Sequence, residues 1–249
     1  MSGTKPVKIH NIDVEFPYEP YPCQMDYMTK VIEALGYGQD AALESPTGSG
    51  KTLSLLCATL GWIKKKKNQL GPSIRMAMDP TKGVLPVNLV PRVFYCSRTH
   101  SQLSQVVREL NKTKHLSIKV CTLGSREQLC VHEQVSKEKD NKTKALKCRN
   151  LVAKRSCHYF NQWNGMDIAS LDALYGEEKK VLDIEDLART AKNHKQCPFF
   201  RFRQLQETAE LILLPYNYLI DPHLRQTHKI DLKGNIVIFD EAHNLVWNC

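Results

Sequence analysis

Leu43-Glu44-Ser45-Pro46-Thr47-Gly48-Ser49-Gly50-Lys51-Thr52 is the stretch on which the fold of this chain turns. Glycines at 48 and 50 let the backbone turn tightly and aim successive N–H groups inward, where an anion would sit. The apolar lead-in Ala41, Ala42 and Leu43 predicts a buried strand, and Leu53, Leu56, Cys57, Leu60 and Ile63 recur at helical spacing after the turn. Strand, glycine-rich loop and helix in that order make a phosphate-binding loop, to which the helix adds its partial positive N-terminus. Ser45, Pro46, Thr47, Gly48, Ser49 and Gly50 then wrap the phosphates, Lys51 reaches the β- and γ-phosphates, and Thr52 offers its hydroxyl to Mg²⁺. The first position holds Ser45 where the common pattern has glycine. The competing reading is a glycine-rich turn with an incidental lysine.

The composition agrees with an ordinary globular chain. Apolar residues make up 42% and charged residues 24% of the 249 positions, ordinary values for a folded domain. A net charge of +9 fits a polyanionic partner and, equally, a generally basic surface. No run approaches the length of a membrane span, so no membrane partner is expected. Nine cysteines with no secretory leader argue against a disulfide framework and for core residues plus metal ligands.

Upstream of the loop, Ile12, Val14 and Phe16 alternate as a short strand does. Prolines at 17, 20 and 22 then forbid helix until after Pro22. A helix follows with Met28, Val31, Ile32 and Leu35 on one face, which puts Gln24 at its start. Its amide offers a donor and an acceptor, complementary to adenine N6 and N7; an exposed first-turn polar residue is the alternative. Downstream, Lys64 to Lys67 end the loop's helix, and a Pro-, Gly- and Met-rich insertion runs to about Pro91. Val93-Phe94-Tyr95-Cys96 reads as a strand buried on both faces. It leads into Ser97-Arg98-Thr99-His100-Ser101-Gln102, a polar run at the strand end where α/β sheets bind ligands. Leu103, Val106, Val107 and Leu110 mark a helix, Ile118 to Cys121 another strand, and Leu123-Gly124-Ser125-Arg126 the turn after it.

Cys130, Cys148, Cys157 and Cys197 are separated by 17, 8 and 39 residues, in sequence of weak periodicity. Without a C-x-x-C pair a common zinc finger is unlikely on spacing, and scattered cysteines are more often small core residues. Cys157 and Cys197 nonetheless sit in polar surroundings, and His132, His158 and His194 keep a mixed zinc site open. Ile184, Leu187, Ala188 and Ala191 predict a helix, and Glu210 to Leu214 a buried strand. Ile236-Val237-Ile238-Phe239 is the plainest strand of all, ending at Asp240-Glu241-Ala242-His243. A carboxylate pair at a strand end complements a phosphate loop: Asp240 for Mg²⁺, Glu241 to orient and deprotonate the water attacking the γ-phosphate.

These motifs together resemble the superfamily 2 DEAH helicases of the XPD type, which carry an iron–sulfur cluster. The resemblance runs from Val14 to Asn244 and rests on five segments: Tyr21-Pro22-Cys23-Gln24, residues 43–52, Ser97-Arg98-Thr99-His100-Ser101-Gln102, Leu123 to Cys130, and Val237 to Asn244. It implies an ATP-dependent 5′→3′ DNA helicase using ATP, Mg²⁺ and a [4Fe–4S] cluster. Lys51, Asp240 and Glu241 would be catalytic, and Cys130, Cys148, Cys157 and Cys197 would hold the cluster. Ser97, Arg98, Thr99, His100 and Arg126 would contact DNA, with Arg149 and Arg155 as further phosphate contacts. Single strands, junctions and duplexes are the implied substrates, the nucleus the implied location, and genome and telomere maintenance the implied setting.

The expected architecture is therefore a RecA-like α/β domain with an incomplete parallel sheet. Residues 1–115 form its first part, 116–205 a mainly helical iron–sulfur insert, and 206–249 the return, ending just after the DEAH box. The family continues into an arch and a second motor domain, whereas this chain stops six residues after His243. A fragment or short form unable to unwind DNA alone is expected. A non-catalytic form that binds nucleic acid or partners is the alternative. A small P-loop kinase or GTPase is disfavoured by the DEAH run and the four-cysteine segment.

Overall fold

The computed structural model describes residues 6–70, 90–113, 118–166 and 180–247. The predicted insertion before Pro91 falls mostly outside them. Among the described residues no helix is long and apolar enough to cross a membrane. The chain forms two compact units, residues 1–92, 108–117 and 233–236 in one and 93–107, 118–232 and 237–249 in the other.

The first unit begins with an antiparallel hairpin of β1 (Val7–Ile9) and β2 (Ile12–Val14). His10 and Asn11 at its turn both adopt positive φ, 45° and 62°, the geometry that suits a tight hairpin to strand twist. Only the second strand was legible in the sequence, because β1 is three residues long. Ile9, Ile12, Val14 and Phe16 are buried. Helix α1 (Pro22–Tyr37) starts on Pro22 and ends at Gly38, whose left-handed φ of 64° lets its N–H reach the Ala34 carbonyl. Helix α2 (Lys51–Gln69) follows the phosphate loop. A Cβ on Gly61 would lie 3.2 Å from the Asp13 carbonyl, so glycine permits the close approach of α2 to β2.

The lead-in Ala41 to Leu43 is not a strand. Ala41 and Ala42 are exposed and Leu43 half-buried. A strand needs a neighbour for its N–H and C=O groups, and this stretch has no ladder partner among the described residues.

The second unit contains β3 (Val93–Ser97), α3 (His100–Leu110, whose last turn belongs to the first unit), β4 (Val120–Thr122), α4 (Arg126–Leu129), α5 (Asn141–Ala153), α6 (His158–Asn164), α7 (Ile184–Asn193), α8 (Pro198–Thr208), β5 (Leu211–Pro215), α9 (Asn217–Ile220), α10 (Pro222–Thr227) and β6 (Ile236–Phe239). The sheet order is β4-β5-β3-β6. β5 pairs parallel with both β3 and β4, with Val93 and Val120 both in register with Leu211. All five residues of β3 and of β5 are buried, which is why each reads as a continuous apolar run. β6 forms, but only half-buried, with Phe239 38% exposed. It is an end strand of this sheet, covered less fully than its apolar run implied.

One core joins the sheet to the segment of the four cysteines. Phe94, Cys121, Ile212 and Leu214 pack in the same cluster as Cys157, Tyr159, Leu187, Cys197, Phe199 and Phe202. The compact units thus follow other lines than the boundaries expected at 116 and 206. Helices α5, α6 and α8 were not legible: α6 is only seven residues long and the apolar faces of α5 and α8 are irregular, so tertiary packing rather than periodicity holds them.

Candidate nucleotide and nucleic-acid sites

Gly48 and Gly50 take φ of 81° and 76°, the left-handed region that glycine enters without steric cost. Gly50 is the N-cap of α2 and no side chain caps that end. The first-turn N–H groups, left without intrahelical partners, therefore face the loop as anion donors. Ser45 and Ser49 hydroxyls sit 2.5 Å apart, closing the loop across its base. Lys51 and Thr52 occupy the first turn of α2, both half-buried.

Gln24 is only 9% exposed and braces this loop. Its Oε1 accepts from the Tyr21 N–H (2.9 Å), and its Nε2 donates to the Ser49 carbonyl (2.9 Å). A Cβ on Gly50 would fall 2.7 Å from Nε2, so glycine there makes room for the amide. One N–H and one lone pair of Gln24 remain for a base. The contact with Ser49 spans 25 residues and left no mark in the sequence.

In the second unit, Asp240 and Glu241 follow β6, and the Asp240 N–H donates to the Cys96 carbonyl at 2.9 Å. Glu241 takes a φ of 54°, an uncommon conformation for a non-glycine residue and one that clusters at functional sites. Tyr216, at the end of β5, holds this turn: its hydroxyl donates to the Asp240 carbonyl and lies 3.1 Å from the Glu241 carbonyl. Burial first, then the charge of Asp240, push its phenol up to about 12. Asn244 Nδ2 also donates to the Glu241 carbonyl (3.1 Å). His243 Nδ1 is 3.6 Å from Glu241 Oε2, an ion pair when the imidazole is protonated. The sequence singled out neither Tyr216 nor its part in shaping this turn.

The polar run after β3 divides. Arg98 and Thr99 are exposed, as a strand contact requires. Ser97 is fully buried and donates to Gln102 Oε1 at 2.9 Å, so its hydroxyl serves the packing of the strand end. Both ring nitrogens of His100 are buried, and burial lowers its pKa, which favours the neutral ring. In this conformation neither is presented to a ligand.

Arg126 lies with its guanidinium 4.1 Å from the Phe199 ring centroid, and Arg203 approaches the same ring at 5.2 Å. Burial, then the neighbouring Arg126 charge, lowers the Arg203 pKa. The two cations, with burial as the larger cause, push His228 down to about 4. This basic group beside Phe199 brings in Arg203, which the sequence did not mark, from 77 residues away.

Cys130, Cys148, Cys157 and Cys197 all line one small chamber, walled by Val131, Val135, Leu151, Phe160 and Phe200. Cys157 and Cys197 sit at the N-caps of α6 and α8 in matching local frames. No hydrogen bond caps either helix through its sulfur, but the backbone N–H groups of Phe160 and Tyr159 near Cys157, and of Phe200 and Phe199 near Cys197, favour the thiolate in part. Phe160 and Phe200 meet edge-on at 4.6 Å, with Trp163 5.4 Å from Phe200. Burial nonetheless raises the Cys130, Cys157 and Cys197 thiols, the last to about 12, because thiolates are costly in an apolar pocket without a compensating cation. Cys57, Cys96 and Cys121 are buried elsewhere as core residues.

The glycine turn of 45–52 in the first unit and, in the second, the parallel sheet with its braced carboxylate turn are each features of helicase-type nucleotide-binding domains, and the comparisons bear out that class. The chain matches the family model described as DEAD/DEAH box helicase over residues 22–156, and the DEAD_2 model over residues 95–249. It belongs to the DEAD/DEAH box helicases, a family that uses ATP and Mg²⁺. It is 47% identical over 243 residues to the regulator of telomere elongation helicase 1 homolog of Caenorhabditis briggsae, covering 95% of this chain and 24% of that protein. To the regulator of telomere elongation helicase 1 of Homo sapiens it is 42% identical over 264 residues, covering 98% and 21%. The chain thus spans less than a quarter of these relatives. Two solved structures share its RecA-like α/β fold. One titled XPD_Helicase has a TM-score of 0.56 at 23% identity, covering 91% of this chain and 33% of that one. One titled Truncated XPD scores 0.53 at 24% identity, covering 88% and 52%.

Proposed function

We propose that this chain is the ATP-binding motor half of an ATP-dependent 5′→3′ DNA helicase, with residues 116–205 acting as an iron–sulfur insert. The supporting observation is the convergence of Cys130, Cys148, Cys157 and Cys197 on one chamber. Four sulfurs, two of them at helix N-caps, and an aromatic wall suit a [4Fe–4S] cluster, whose irons would supply the positive charge that four thiolates need. The cluster would order the insert; the aromatic wall keeps water from it.

In this reading Lys51 binds the β- and γ-phosphates, Thr52 and Asp240 hold Mg²⁺, and Glu241 activates water. Ser45, Pro46, Thr47, Gly48, Ser49 and Gly50 surround the phosphates, and Gln24 reads adenine while bracing the loop. Arg98, Thr99 and Arg126 contact the DNA backbone directly, whereas Ser97 and His100 support that contact from beneath. The relatives' names, regulator of telomere elongation helicase 1, support a part in genome and telomere maintenance; single-stranded DNA and junction or duplex substrates and a nuclear location belong to this reading.

Single-strand binding tests the nucleic-acid side. The 249-residue chain should bind a labelled oligonucleotide with affinity that falls as salt rises. Arg126→Ala should reduce the log–log salt slope by about 0.7, one phosphate contact on a single strand. Binding indifferent to salt, or unchanged in both Arg126→Ala and Arg98→Ala, would sink this assignment.

Gln24→Ala should lower ATP affinity about three- to tenfold, the scale of one or two lost hydrogen bonds, and narrow the preference for ATP over GTP. Equal losses for both nucleotides would leave Gln24 as a loop brace only.

A further inference from the structure

The geometry points to a second metal site, in which His132, Glu133 and His158 take a divalent transition ion of the zinc class at the rim of the thiol chamber, which His132 also lines. His132 and Glu133 lie in the stretch that follows Cys130, and His158 opens α6 immediately after Cys157. One ligand atom from each of the three lies within 4.8 Å of the others. In a tetrahedral zinc site, bonds of about 2.0–2.1 Å place ligand atoms roughly 3.4 Å apart. Closure therefore needs a contraction of at most about 1.4 Å. The side chains can supply it, since Glu133 and His158 are exposed and His132 half-buried.

The donor set is specific. Two imidazoles and one carboxylate suit zinc, nickel or ferrous iron, while the thiols next door suit a softer, sulfur-bound centre. Three protein ligands leave a fourth position for water, the pattern of an open rather than a closed zinc site. The carboxylate is oriented from behind: Tyr159 donates its hydroxyl to Glu133 Oε1 at 2.8 Å, which leaves Oε2 for the ion. Such outer partners of ligating carboxylates position the ligand and raise affinity. The His158 ring is 4.0 Å from that of Tyr159 and 6.0 Å from that of His132, so the three rings form one cluster. The Gln134 N–H approaches His132 Nδ1 at a long 3.3 Å, a contact weak enough to yield to a metal.

An ion here ties the segment after Cys130 to the start of α6, two walls of the chamber that are 26 residues apart (132 to 158). It acts as a brace at the chamber's rim, where His132 and Tyr159 also form part of the chamber wall.

Cobalt titration of the full chain, prepared without oxygen and with its iron and sulfide counted, tests the site. One equivalent of Co²⁺ should bind with visible d–d absorption but without the near-ultraviolet thiolate charge-transfer band, and Zn²⁺ should displace it. His158→Ala and His132→Ala should each weaken binding on the order of 10²-fold, and Tyr159→Phe about tenfold, with iron and sulfide unchanged in His158→Ala, whose residue does not line the chamber. Tyr159→Phe keeps the packing of the ring, so it reads the site even if a histidine variant disturbs the local fold. Unchanged affinity in His158→Ala, no bound Co²⁺, or a charge-transfer band in the iron-loaded chain would overturn the proposal. The iron and sulfide counts report separately on the chamber, so failure of one reading does not mimic failure of the other.

Discussion

Cys197→Ser should abolish bound iron. Prepared without oxygen, the unaltered chain should be brown and carry about four irons and four sulfides, the content of one [4Fe–4S] cluster. Cys197 is 9% exposed, at the N-cap of α8, and belongs to the same buried core as Phe199, Phe202 and Ile212 of β5. Serine there supplies a harder, weakly acidic ligand in an apolar pocket. Because metal binding is folding free energy, the loss should lower thermal stability and expose α5 and α6 to protease before the strands. Cys130→Ser, Cys148→Ser and Cys157→Ser should behave alike. Cys121→Ser is the control: its sulfur lies in the core and donates to the Phe202 carbonyl, a bond that a hydroxyl can make. It should keep its iron. Four sulfur-bound zinc contacts without sulfide, or full iron in Cys197→Ser, would refute the cluster.

Lys51→Ala and Glu241→Gln should fail in different ways. In the longer protein carrying this region, Glu241→Gln should slow ATP hydrolysis by about 10²–10⁴-fold, the usual contribution of a positioned general base. ATP affinity should stay within about twofold, since the amide keeps the shape and the turn is held through backbone carbonyls by Tyr216 and Asn244. Lys51→Ala should instead weaken Mg·ATP binding by roughly 10–100-fold, the scale of lost charge-assisted hydrogen bonds. Equilibrium nucleotide binding and single-turnover hydrolysis separate the two. Equal loss of binding in both variants would contradict their separate roles. Tyr216→Phe adds a geometric check. It removes the hydroxyl that orders the Asp240–Glu241 turn and should reduce hydrolysis with little change in affinity.

Local chemistry made much of this molecule legible in the sequence. Gly48 and Gly50 must take left-handed φ for the loop to turn, and both do. The apolar runs of β3 and β5 could belong only to strands covered on both faces, and both are buried throughout. The helix after Pro22 and the helix of Ile184 and Leu187 follow from proline placement and a 3.6-residue period, which neighbours do not alter.

What depends on distant partners was decided by the tertiary structure. Ala41 to Leu43 has strand composition but no ladder neighbour among the described residues. Ser97 and His100 share a polar run with Arg98 and Thr99, yet face inward because the strand end is buried. Gln24 meets Ser49 across 25 residues, and Tyr216 meets Glu241 across the same separation. The four cysteines carry no period and no paired spacing. Only packing of α5, α6 and α8 brings residues 67 positions apart in sequence (130 to 197) onto one chamber. The same packing draws His132, Glu133 and His158 together. Backbone conformation and strand burial are written in neighbouring residues, whereas a ligand set assembled from separate helices exists only once those helices have packed.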